Sequence, residues 1–253
     1  MLRSLKDLIG YPIKATDGDI GKVKDFLFND ETKEVCYLVA DTKGWLSTHK
    51  VLISPLQLTA PETGFYGKHF PVSLTRKDVE NSPLLRNDEP VSLQYEREFA
   101  RFHNLRPRRP GSSALESLVP PESPLPHAPD EVERHNRKLE AIENSHLRSV
   151  DEVIDYRIKS TDHHPVGHIE DLIIETESWT IRHFVVNLRN WLPSRSVLLD
   201  IDWLMDFRFG DSEAEVNLTR QQIKESPEFH PEQPVNRQYE KMLYDYYGRP
   251  YYW

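Results

Sequence analysis

The chain has 253 residues, which at about 150 residues per domain fits one or two domains. Apolar residues make up 38% of it, below the roughly 45–50% of an average globular chain, so part of the sequence belongs to no core, while 10% aromatics exclude global disorder. Asp and Glu outnumber Lys and Arg 41 to 32 for a net charge of −9, the reverse of a surface built to grip phosphates.

Taken in chain order, short apolar blocks bounded by turn residues predict strands. Ile13–Ala15 leads through the turn Asp17-Gly18-Asp19 to Ile20–Asn29. The turn Asn29-Asp30-Glu31-Thr32 precedes Glu34–Thr42, with Val35, Tyr37 and Val39 placed on one face, and Lys43-Gly44 precedes Lys50–Ser54. Thr75 stands where an N-cap belongs before a short helix over Arg76–Asn81, which Pro83 stops. A second helical pattern over Val91–His103 lines up Tyr95, Phe99 and Phe102. Residues 107–129 then hold seven of the 19 prolines, a semi-rigid linker expected to be cut by proteases into fragments near 1–105 and 130–253. Asp130–Asn144 is charged and predicts a marginal helix.

Beyond it the pattern starts again. Leu2-Arg3-Ser4-Leu5 recurs as Leu147-Arg148-Ser149-Val150, and Tyr11, Ile13, Lys14, Thr16 and Asp17 recur as Tyr156, Ile158, Lys159, Thr161 and Asp162. One inserted residue later Gly21, Asp25 and Val39 match Gly167, Asp171 and Val185, and Trp45-Leu46 matches Trp191-Leu192. Val72, Leu74, Thr75 and Arg76 meet Val216, Leu218, Thr219 and Arg220, and Gln94-Tyr95-Glu96 meets Gln238-Tyr239-Glu240. Such a run of matches, broken by one single-residue slip and one two-residue slip, marks a tandem duplication. The second copy predicts strands over Gly167–Glu175, Thr180–Leu188 and Ser196–Leu199. A hairpin of Phe207–Phe209 with Ala214–Leu218 follows, and then helices over Arg220–Glu225 and Val235–Tyr247. Short strands at this spacing predict a small closed or half-closed antiparallel barrel in each copy.

Gly21-x-Val23-x-Asp25, the Val35–Asp41 strand and Trp45-Leu46 followed by Lys50-Val51-Leu52-Ile53 together resemble the PRC-barrel domain. Gly167-x-Ile169-x-Asp171, Phe184-Val185-Val186-Asn187 and Trp191-Leu192 followed by Val197-Leu198-Leu199 repeat the resemblance. That family takes its name from the cytoplasmic domain of the photosynthetic reaction-centre H subunit and includes the C-terminal domain of a bacterial ribosome maturation factor. The resemblance implies a mainly β fold of two small PRC-type β-barrels in tandem, used for binding and assembly. The expected division is a first barrel over 1–84, a helical extension over 85–106, the Pro-rich linker and marginal helix over 107–146, a second barrel over 147–228, and a helical extension with an aromatic tail over 229–253.

Cys36 lies mid-strand and reads as a buried, inert thiol; as the sole cysteine it permits no intrachain disulfide and fits a reducing compartment. His163, His164 and His168 crowd one turn near Asp162, but the equivalent turn of the first copy carries Gly18 and Lys22, so a polar surface turn is preferred to a metal site. Asp25 and Asp171 invite an acid–base reading; a short carboxylate hydrogen-bonded to backbone at a bulge or strand crossing fits their recurrence better. No phosphate loop, nucleophile triad or zinc-binding helix motif appears, so neither an enzyme nor a cofactor is expected.

The aromatics carry the functional expectation. Trp45, Trp191, Tyr246, Tyr247, Tyr251, Tyr252 and Trp253 are the candidate partner-binding residues, since a terminus ending Tyr246-Tyr247-Gly248-Arg249-Pro250-Tyr251-Tyr252-Trp253 must be covered by its own barrel or by another subunit. The expected function is that of a non-catalytic adaptor that binds a protein partner or forms a homo-oligomer. Nucleic acid is disfavoured by the charge, although Arg101, Arg106, Arg108 and Arg109 sustain the alternative of an RNA- or ribosome-associated factor. No run reaches the ~18–20 apolar residues of a membrane span, and Met1–Asp7 lacks a signal-peptide core, so a cytoplasmic protein is expected.

Overall fold

The computed structural model describes residues 1–43, 50–64, 67–82, 146–188 and 195–253. It is mainly β, with two sheets and a few short helices. The first half contributes β1 (Leu2–Ser4), α1 (Leu5–Leu8), β2 (Pro12–Ala15), β3 (Gly18–Asn29), β4 (Val35–Asp41), β5 (Lys50–Ile53), β6 (Glu62–Gly64), β7 (Gly67–Pro71) and α2 (Arg76–Glu80). After residue 146 the same opening order returns as β8 (Leu147–Ser149), α3 (Val150–Val153), β9 (Arg157–Lys159), β10 (Pro165–Glu175), β11 (Thr180–Asn187) and β12 (Ser196–Asp200). A hairpin of β13 (Leu204–Arg208) and β14 (Glu213–Val216), then α4 (Arg220–Glu225), β15 (Glu228–Phe229) and α5 (Arg237–Tyr247) complete the chain.

The main strands and both predicted caps stand where the residues place them. Thr75 and Thr219 accept from the N–H of Asp78 and Gln222, and those side chains reach back to the cap backbone, which satisfies donors that open a helix. The predicted helix over Val91–His103, the proline linker and the charged stretch Asp130–Asn144 lie outside the described residues.

Two expectations need correction. Strand pairing runs β5-β4-β3-β2-β7-β6 in one sheet and β13-β14-β9-β10-β11-β12-β15 in the other, so among the described residues neither path closes on itself, which overturns the closed form of the expected barrel and not the half-closed one. Nor is the pairing purely antiparallel. The last hairpin of each half crosses to the far edge and runs parallel to β2 or β9. The predicted one-sided face of β4 also fails. All residues from Val35 to Ala40 are buried, because a bulge between Leu27 and Phe28 puts Val35 in the main core and Tyr37 and Val39 in a second cluster with Cys36 and Leu52.

The recurring glycines are explained by close approach. A Cβ on Gly21 would lie 2.1 Å from the Asp41 carbonyl oxygen, and one on Gly167 2.4 Å from that of Asn187, so only glycine lets β3 and β10 draw against the next strand.

The halves are interlocked. β1 pairs with β10 of the second sheet, and β8 pairs with β3 of the first. Between them the chain makes a symmetric contact at two equivalent turns. Val35 donates its N–H to Trp179 O at 2.7 Å, and Ile181 donates to Lys33 O at 2.8 Å, around an antiparallel bridge of Glu34 and Thr180. Lys33 and Trp179 both hold left-handed backbone, with φ of 62° and 55°. Trp179 reaches into the first half against Phe26 and Phe70, and Phe207 of the second meets Phe28 of the first. One continuous apolar core results.

Candidate functional site

Two constellations concentrate the polar chemistry: a pair of serine–aspartate locks between the halves, and a buried charge cluster under the aromatic C-terminus.

Asp25 and Asp171 each sit at a bulge, where pairing slips between Val23 and Asp25 and between Ile169 and Asp171. The bulge turns each carboxylate toward the segment arriving from the other half. Asp25 accepts from the N–H of Phe26 at 2.7 Å and of Asp151 at 3.1 Å, and from the Ser149 hydroxyl at 2.5 Å. Asp171 accepts from the N–H of Leu172 at 2.7 Å and of Lys6 at 3.0 Å, and from the Ser4 hydroxyl. Each serine is also an N-cap, accepting from Asp7 N–H in α1 or Glu152 N–H in α3. One hydroxyl thus caps a helix and fastens it to the opposite sheet. Burial pushes both carboxyls above the ordinary aspartate range, against the hydrogen bonds they accept. Their contacts hold strands in place, as the recurrence in sequence suggested.

The second constellation lies between β11, β12 and α5. α5 starts at the Asn236 cap and ends at Gly248, whose φ of 61° stops the helix. Its buried face, Glu240, Leu243, Tyr244 and Tyr247, packs on Trp203, with ring centroids 5.7 Å from Tyr244 and 4.5 Å from Tyr247. Beyond Gly248 the chain folds back, so that Tyr251, Tyr252 and Trp253 all meet Tyr244. The tail is covered in cis. Tyr251 and Trp253 stack at 4.7 Å, and the Arg237 guanidinium lies 4.2 Å from the Trp253 centroid.

His183, fully buried on β11, faces Glu240 Oε1 at 3.1 Å through Nε2, while Asp200 Oδ2 stands 3.9 Å from Nδ1. Nδ1 finds no hydrogen-bond partner among the described residues. Glu240 also accepts from the Tyr252 hydroxyl at 2.8 Å and pairs with Arg237 at 3.1 Å, while the Arg182 guanidinium covers the Tyr252 ring at 4.5 Å. Burial pushes the Asp200 carboxyl up to about 6, although His183 and the Asp202 N–H oppose it. For Glu240 burial acts upward too, but His183, Tyr252 and Arg237 together leave it below the ordinary glutamate range. Burial and the Glu240 carboxylate push the Tyr252 phenol up to about 12. The cluster ties the last residues of the chain to β11.

Of the aromatics singled out in sequence, the structure gathers Tyr246, Tyr247, Tyr251, Tyr252 and Trp253 around α5, whereas Trp45 and Trp191 lie outside the described residues. Tyr247 is buried; Tyr246, Tyr251 and Trp253 keep 39%, 39% and 47% of their surface exposed, and Met242 on the same helix 48%. Tyr251 and Trp253 form a stacked aromatic ledge on Tyr244 beside Arg237, while Tyr246 meets Tyr247 and donates to Gln222 O. Sequence reasoning missed His183, Asp200 and Glu240, which come from three separate elements; the matched pair Glu96 and Glu240 was the available signal. Ser4 and Ser149 were visible within the repeated Leu-Arg-Ser, but their partners were not.

Cys36 is buried, its thiol 3.5 Å from Glu34 O. His163 is exposed on its turn, 3.6 Å from Glu215, and among the described residues no group of three or more His, Cys, Asp or Glu side chains is placed to hold a metal ion. The four-arginine stretch is outside the described residues.

The glycine at close approach, the aspartate at the bulge and the following strand make one unit over the first half. Residues 2–78 match the PRC-barrel domain family. The matched span runs from β1 into α2, and so includes the serine that crosses to the second sheet and the aspartate that receives the other. No curated protein matches the chain. Among the described residues no helix is long and apolar enough to cross a membrane.

Proposed function

We propose that the chain is a non-catalytic binding and assembly protein, two PRC-type domains in tandem that act as an adaptor for self-association or for a protein partner. The observation that carries this reading is the exposed ledge of the stacked Tyr251 and Trp253, with Met242 and Tyr246 also exposed on α5. Both rings meet Tyr244, and Arg237 lies over Trp253; pre-ordered aromatics bind with little loss of rotamer freedom. The PRC-barrel match and the repeat of its motifs in the second half support the tandem reading. The grounds for excluding catalysis are those of the sequence: no constellation in it is spaced for nucleophilic or acid–base work.

Sedimentation of the full chain against concentration, with Tyr251→Ser and Trp253→Ser alongside, tests the ledge. Association or capture of a defined partner that weakens about tenfold or more in these variants supports the proposal. A chain that stays at 29.7 kDa and captures the same proteins with and without the ledge overturns it, as does sustained turnover of a substrate abolished by one polar substitution.

A further inference from the structure

The contacts that join the halves are closed and reciprocal: two short segments cross between them, beside the central contact of Lys33 and Trp179 and the shared core. Residues 1–8 carry every bond β1 and α1 make to the second sheet: Leu2, Arg3 and Ser4 ladder with Glu175, Ile174 and Ile173, Met1 O accepts from Thr176, Ser4 and Lys6 reach Asp171, and Leu5 and Leu8 are buried at 0% and 1% exposure. At Gly10, with φ of 82°, the chain turns back to its own half, where Gly10 and Tyr11 bond Val23. Residues 147–153 do the same toward β3, and Asp155, the equivalent of Gly10, has φ of 68°.

Nothing in these contacts specifies that both halves belong to one chain. The stretch 83–145 that joins them can reach roughly 200 Å at about 3.3–3.6 Å per residue. We propose that this interface is also one between copies: the first half of one chain docks on the second half of another, with Ser4 and Ser149 entering Asp171 and Asp25 in trans, to give a closed reciprocal dimer. The proposal rests on the assembly reading above and names the partner as a second copy of this chain. Within one chain the tether supplies an effective concentration on the order of 1 mM, so the dimer forms when chains fold together near that concentration and then persists, because exchange requires the whole interface to open.

Leu2 and Glu175 face each other across the ladder, which suits a reporter disulfide. Leu2→Cys and Glu175→Cys chains are unfolded, mixed, refolded at about 1 mM and at a hundredfold dilution, then oxidised. The expected product at high concentration is a disulfide-linked species of twice the 29.7 kDa chain mass, reduced about tenfold or more on dilution and absent from either variant alone. The Leu2→Cys/Glu175→Cys double variant, linked within one chain, shows that the pair can close. If the double variant closes but the mixture gives no dimer, or no more than Glu175→Cys mixed with Leu56→Cys, whose side chain is exposed at a distant site, exchange is overturned. If wild-type chains nevertheless associate, the assembly reading stands without exchange; if they remain single at every concentration, both fall.

Discussion

The Ser4 hydroxyl caps α1 and donates to Asp171, while Ser149, its equivalent, caps α3 and donates to Asp25. Each bond spans more than a hundred residues of sequence, and the two together close a reciprocal clasp. Removing one carboxylate leaves a hydroxyl and two backbone N–H groups without their acceptor in a largely buried place. Asp171→Ala and Asp25→Ala are each expected to cost about 1–3 kcal/mol of stability in urea denaturation. The double variant should lose less than the sum if the clasp acts as a unit, because the first substitution already loosens the second bond. A loss below about 0.5 kcal/mol for both single variants removes the clasp's energetic role.

Asp200 gives a pH dependence of defined sign. Its folded-state pKa of about 6 lies above the ordinary 3.8, so its contribution is fully present below about pH 4 and is lost as pH rises through 6. At pH 7 the buried charge is a net cost, and Asp200→Asn, which keeps an oxygen to cap Asp202 N–H, should stabilise the fold by on the order of 2 kcal/mol. At pH 4 the variant and the parent should melt alike. Equal stabilisation at both pH values would place the effect elsewhere than in ionisation.

The tail is a stability element. Deleting residues 249–253 strips the Tyr252 hydroxyl from Glu240 and the rings from Tyr244. A loss of about 2–3 kcal/mol, read as a fall of roughly 4–10 °C in Tm, is expected by calorimetry. An unchanged Tm would show that the rings contribute no net burial.

Gly21→Ala and Gly167→Ala drive a Cβ into a backbone carbonyl at 2.1 and 2.4 Å. Each should cost more than about 2 kcal/mol, whereas Gly10→Ala, with open space around it and only its φ of 82° to oppose it, should cost about 1 kcal/mol. Chemical denaturation of the three variants ranks them, and a Gly10 penalty above both others contradicts the close-approach argument.

A cut within the proline stretch has a modified outcome. The sequence alone predicts two separately folded fragments, but each half borrows a strand and a capped helix from the other. The nicked halves should therefore co-elute on size exclusion and part only in denaturant. Separation in native buffer would mean that the crossed strands are dispensable.

Much of the architecture was legible in the residues. Apolar blocks and turns set β3, β4, β10 and β11, Thr75 and Thr219 set their helices, and the recurring Asp25 and Asp171 pointed to backbone bonds at a bulge or strand crossing, because each depends on neighbours along the chain; the close approach at Gly21 and Gly167 was not read from the sequence. That Tyr251, Tyr252 and Trp253 must be covered was legible in the aromatic terminus, though whether by its own barrel or by another subunit was open. What only the tertiary structure decided was partnership. β1 and β8 are three-residue segments with the same Leu-Arg-Ser sequence, so no local preference distinguishes their own sheet from the other; the choice is made by the central contact of Lys33 and Trp179 and the shared core. The cluster of His183, Asp200 and Glu240 was hidden for the same reason: its members lie on two strands and a helix, and a buried histidine between carboxylates exists only once packing has removed the water between them.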